Sequence, residues 1–153
     1  MTFNRGDAET RSSLISEELT QKIIGCAIEV HRELGPGLLE SAYEECLCHE
    51  LKACGLNFLR QVPLPVTYKA VRLDCGYTAD LIVEQTVVLE LKCVEQILKV
   101  HEAQLITYLK LTGLKVGFLL NFYTDVLTRG GVIRKVLENS KILRTSASPR
   151  SSR

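Results

Sequence analysis

Asp80, Glu90 and Lys92 stand in two short apolar runs, Tyr77-Thr78-Ala79-Asp80-Leu81-Ile82-Val83 and Val87-Val88-Leu89-Glu90-Leu91-Lys92. Each run carries charge where a core strand ordinarily carries none. Side chains alternate along a strand, so Glu90 and Lys92 leave one face while Leu89 and Leu91 fill the other. If Glu84-Gln85-Thr86 is a hairpin bend, Asp80 meets them from the preceding strand. Two carboxylates and an ammonium at one sheet edge suit a hard divalent cation, Mg2+ or Mn2+, with a water beside it. Asp80 and Glu90 are the expected ligands, and the backbone carbonyl of Leu91 is a further hard oxygen. Lys92 would orient the water or hold an anion as a point charge. The competing expectation is a structural ion pair at the sheet rim, which at a surface contributes only about 0–1 kcal/mol.

The elements that must position these residues follow from periodicity. A first helix opens at Ser16, an N-cap with Glu17 and Glu18 in the dipole-favoured first turn. Leu19, Ile23, Ala27, Val30 and Leu34 form its apolar stripe, and Gly35-Pro36-Gly37 stops it. A second helix, about 38–54, turns Leu39, Tyr43, Leu47, Leu51 and Cys54 inward, and Gly55 supplies its left-handed cap. Residues 58–68 read as one extended strand, placed at an edge by Pro63 and Pro65, with 71–75 as its partner. After the charged strands come a third helix, about 100–112, closed by Gly113, a buried strand at 115–122 and a short last element near 132–137. The order ααββββαβ predicts an α+β (mixed α/β) fold with a sheet flanked by helices. On the third helix Gln104 and Tyr108 share a face, leaving Leu105, Leu109 and Leu111 for packing.

The 153 residues fit one domain. The expected division is a flexible segment 1–15, a folded domain 16–137 and a disordered tail 138–153 carrying Lys141, Arg144, Arg150 and Arg153. A net charge of +1 argues against a binder held by overall charge and leaves a local basic groove open. No apolar run approaches the roughly 18 residues of a membrane span. Met1 to Ser13 is polar and unlike a secretory leader, so a cytoplasmic location is expected. The six cysteines contain no CxxC pair, and Cys46 and Cys48 lie about 200° apart on a helix. Reduced, mostly buried thiols are expected rather than a metal cluster. His31, His49 and His101 form no ligand pair; His31 or His101 could border the cleft, with a supporting or surface role the expectation.

Asp80 followed by Glu90-Leu91-Lys92 resembles the D…ExK motif of the PD-(D/E)XK phosphodiesterases. Gln104-Leu105-Ile106-Thr107-Tyr108 resembles the QxxxY motif of that superfamily's recombination-exonuclease branch, in which the helix faces the metal site. Gly37-Leu38-Leu39-Glu40-Ser41-Ala42-Tyr43, with Val30-His31-Arg32-Glu33-Leu34-Gly35-Pro36 before it and Glu44-Glu45 after it, resembles the GxxExxY family of small bacterial proteins. The resemblance runs from about Ile23 to Val136. It implies a nuclease-like fold, divalent-metal chemistry and hydrolysis of phosphodiester bonds in DNA or RNA. It also implies a role for Glu40 beside the metal, and supporting or nucleic-acid-binding roles for Gln104 and Tyr108. A protein that keeps the fold without cutting, a small-molecule phosphodiesterase, and a subunit or homodimer that relies on a second chain for its grip are the alternatives.

Overall fold

In the computed structural model the backbone is described for residues 5–138 and side chains for 17–138. The tail expected to be disordered lies outside the described residues from 139 onward. Helix α1 spans Arg5–Leu34 and α2 spans Glu40–Ala53. Ser16 is therefore inside α1 and does not cap it. No proline interrupts 5–15, and the one glycine there falls in the first turn, where a helix tolerates it.

Strand β1 (Phe58–Pro63) and the short strands β2 (Val66–Tyr68) and β3 (Val71–Leu73) replace the single long strand expected over 58–68. Pro65 has no N–H to donate, and there the chain leaves the main sheet and folds β2 on β3 as a separate hairpin. Strands β4 (Thr78–Val83) and β5 (Val87–Lys92) form the expected hairpin. Its bend holds Glu84 and Gln85 at φ of 51° each. Helix α3 (Lys99–Thr112) then crosses over to β6 (Val116–Asn121), and β7 (Val132–Val136) closes the order.

The five-stranded sheet runs β1-β4-β5-β6-β7, so the proline-bearing β1 is an edge. Among the described residues only β5 and β6 pair in parallel, which requires a crossover, and α3 supplies it. The molecule is thus an α+β protein, a mixed sheet of five strands flanked by three helices.

A core lies on each face of the sheet. Ile23, Ala27, Val30, Tyr43, Leu47 and Leu51 of α1 and α2 pack on Leu81, Leu89, Leu91 and Phe118. Leu105, Tyr108 and Leu109 of α3 pack on Ile82, Val88 and Leu119. Since Leu89 and Leu91 face the first core and Val88 the second, Glu90 and Lys92 leave on the α3 side. Leu39 and Cys54 do not join the core: they are the residues flanking α2, where the helical face has not begun or has ended, and Leu39 is 77% exposed. All six cysteines are free, and Cys54 and Cys75 are exposed rather than buried: Cys54 ends α2 and Cys75 lies in the irregular connection between β3 and β4. Among the described residues no helix is long and apolar enough to cross a membrane.

Candidate metal centre

The β4–β5 ladder pairs Val83 with Val87, Ile82 with Val88 and Leu81 with Leu89. The next opposed pair would be Asp80 and Glu90, and here side chains take over from the ladder. The Asp80 N–H donates to Glu90 Oε1 at 2.8 Å, and the Leu91 N–H donates to Asp80 Oδ2 at 2.8 Å. One oxygen of each carboxylate thereby accepts from the backbone of the opposite strand. Leu91, whose carbonyl was the expected fourth oxygen, is buried and tied to Asp80 through its N–H.

The electrostatics follow from that geometry. Glu90 is 5% exposed, and burial, then the neighbouring charge of Asp80, pushes its carboxyl up to about 8. The Asp80 N–H and Lys92 pull against that rise without cancelling it. Burial also raises Asp80, opposed by its hydrogen bonds from Leu91 and Gln61. Lys92 is half-buried at the end of β5, and among the described residues no ion pair ties it to Asp80, Glu90 or Glu40. The rim ion pair is therefore not formed.

Glu40 opens α2, delivered there by the turn before it. Gly37 has a φ of 106°, a conformation glycine adopts freely. The Tyr43 hydroxyl donates to the Gly35 carbonyl and accepts the Leu38 N–H at 3.2 Å, while its ring stacks on Phe122 with centroids 4.5 Å apart. The glycine and tyrosine of the GxxExxY run thus shape and pin the loop that presents Glu40. Its carboxyl is raised first by partial burial and then by Asp80 and Glu44, with Lys92 and His101 opposing. Among the described residues, however, no three acidic, histidine or cysteine side chains are gathered closely enough to hold a metal. Asp80 and Glu90 meet; Glu40 stands beside them.

On α3 the Gln104 amide donates to the Tyr108 hydroxyl at 2.9 Å. Tyr108 is buried against Tyr77, ring centroids 6.2 Å apart, and its hydroxyl is raised by burial and then by the charges of Glu90 and Asp80. His101 is turned back to cap its own helix, with Nδ1 accepting the Leu98 N–H at 2.9 Å. His31 is buried on the other side of the sheet, where Nε2 bonds the Thr124 carbonyl at 2.7 Å beside Phe122. It pins α1 to the β6–β7 connection and does not border the site.

Sequence reasoning passed over Glu44, Arg60 and Gln61. Glu44 is 8% exposed; Arg60 donates to its Oε2 through two nitrogens, at 2.7 and 3.1 Å, and Gln61 to its Oε1 at 2.7 Å. The available signal was spacing, since Glu44 lies four residues after Glu40 and shares its face.

The donor atoms at Asp80 and Glu90 are hard oxygens. Two carboxylates held across the β4–β5 pair offer the oxygen ligands that Mg2+ and Mn2+ take, with no third acidic, histidine or cysteine side chain gathered with them among the described residues. A mixed sheet of five strands flanked by three helices is consistent with a nuclease-like fold. A model of the PD-(D/E)XK nuclease superfamily matches residues 17–135, and the chain belongs to that superfamily. Its members generally use divalent metal ions, and membership implies a nucleic-acid substrate. No curated protein and no solved structure matches the chain significantly.

Proposed function

We propose that this protein is a Mg2+- or Mn2+-dependent nuclease that hydrolyses phosphodiester bonds in DNA. One observation carries the reading: Asp80 and Glu90 oppose each other where the ladder stops, with Lys92, in no ion pair among the described residues, two residues on. Asp80, Glu90, Glu40 and the Leu91 carbonyl would hold the cation, which when bound supplies charge stabilisation for phosphoryl oxygens and acidifies a water. The Leu91 N–H holds one oxygen of Asp80, and the Asp80 N–H holds one oxygen of Glu90. The Lys92 ammonium donates to a phosphoryl oxygen or to the attacking water. Tyr108, whose oxygen is already occupied by the Gln104 amide, keeps its own proton to offer to the substrate. DNA is preferred over RNA on the resemblance of Gln104 to Tyr108 to the recombination-exonuclease branch; the GxxExxY assignment rests on the run from Gly37 to Tyr43. Six free thiols suit a reducing cytoplasm.

A second reading, an accessory nucleic-acid-binding subunit that does not cut, is favoured by the lack of a ready three-ligand group among the described residues. A homodimer or partner protein would then complete the grip on a duplex. Calorimetric Mn2+ titration tests the centre. The parent should bind, and Asp80→Asn should lower the affinity by at least about tenfold. A parent that binds no Mn2+ overturns the nuclease reading.

A further inference from the structure

Gln61 lies in the middle of β1 between the pairs Arg60–Leu81 and Val62–Ala79, directly opposite Asp80. Its φ is 47°, a left-handed conformation that a side chain other than glycine rarely adopts inside a strand. The alternation of β4 breaks at the same level: Leu81 joins the core under α1 and α2, whereas Ala79 joins the core under α3. The result is an amide aimed at two carboxylates. Gln61 Nε2 donates to Glu44 Oε1 at 2.7 Å and to Asp80 Oδ1 at 3.3 Å. An amide nitrogen has two protons, and both are committed.

Each side of this bridge is anchored. Glu44 is buried, and its other oxygen takes Arg60, which also reaches Glu45 at 2.7 Å. Asp80 has its other oxygen on the Leu91 N–H. Gln61 therefore ties the inner face of α2, one turn beyond Glu40, to the carboxylate on β4. Without it the carboxylates of Glu44 and Asp80 would repel each other with no donor between them. A lysine at 61 would also bridge them, but its charge would compete with a cation. A neutral donor holds Asp80 still and leaves its negative field intact.

We infer that Gln61 is a positioning residue for the metal centre: a strained, neutral donor that fixes the Asp80 rotamer and locks α2 against it. The inference rests on the reading of Asp80 as a metal ligand, but its geometric half is measurable without metal.

The test uses Gln61→Gly, which suits the left-handed backbone and removes both donors, and Gln61→Lys, which keeps a donor and adds a charge. Three-bond couplings of Asp80 in the metal-free protein should report one side-chain rotamer in the parent and in Gln61→Lys, and averaged rotamers in Gln61→Gly. Thermal melts check that both variants stay folded. Calorimetric Mn2+ affinity should fall about tenfold or more in both, as for other residues that orient metal ligands. Unchanged Asp80 couplings in Gln61→Gly, or parental Mn2+ affinity in either variant, would overturn the inference. If the parent binds no Mn2+, the nuclease reading fails, and the couplings alone decide whether Gln61 positions Asp80.

Discussion

At the scale of single residues, Glu90 makes the stability of this protein depend on pH in a direction opposite to that of a salt-bridged carboxylate. Burial pushes its carboxyl up to about 8 in the folded protein from an ordinary 4.5, so between those values the folded state holds a proton that the unfolded state has lost. Metal-free stability should fall as pH rises from about 4.5 to about 8 and then level. Urea denaturation in chelator at a series of pH values measures this; in Glu90→Gln the slope should shrink. Mn2+ affinity should run the other way, rising through the same window, because cation and proton compete for one carboxylate. Glu40→Gln should weaken Mn2+ binding while leaving stability within about 1 kcal/mol, the size of a helix-terminus charge effect. Calorimetry on the folded variant checks it, and parental affinity would return Glu40 to the part of a helix-start residue. Asp80, Glu90 and Lys92 were legible because charge in an apolar strand is conspicuous. Gln61 was not: its conformation depends on a β4 partner and an α2 carboxylate, neither of which a local pattern in Arg60-Gln61-Val62-Pro63 announces.

At the scale of elements, the site depends on two close approaches. A Cβ on Gly117 would lie 2.8 Å from Leu105 Cδ1, so glycine in β6 is what lets α3 settle on the sheet with Tyr108 near Glu90. Gly117→Ala should cost roughly 1–3 kcal/mol through overpacking, read as a lower urea midpoint at constant slope. Tyr43→Phe keeps the stack on Phe122 but strips the clamp from Gly35 and Leu38. It should cost about 1–2 kcal/mol and loosen Glu40, so that Mn2+ affinity drops modestly as well. Helical stripes and the β4–β5 hairpin could be read from the sequence because their periodicity is local. The start of α1 could not, since Ser16 looks like a cap whether or not helix precedes it. The split of residues 58–68 was also hidden: Pro65 signals an edge and a break equally well.

At the scale of the whole molecule, a net charge of +1 leaves no global field to collect nucleic acid, and the centre itself is acidic. A divalent cation at Asp80 and Glu90 would neutralise the two carboxylates where a phosphate must sit, so metal and substrate binding should be coupled. The order of helices and strands carried the fold class because each helix must cover a sheet face. It did not specify how closely Glu40 approaches the other carboxylates, which depends on side-chain rotamers. The most direct measurement is cleavage of a panel of single- and double-stranded DNA and RNA by the parent and Lys92→Ala, with Mg2+ or Mn2+ and with chelator. Lys92→Ala keeps every expected metal ligand. The parent should cleave DNA in a metal-dependent way, abolished by chelator and reduced about 100-fold or more in Lys92→Ala, with Mn2+ affinity retained. Absence of cleavage by a parent that binds Mn2+, or equal cleavage by Lys92→Ala, would contradict that expectation.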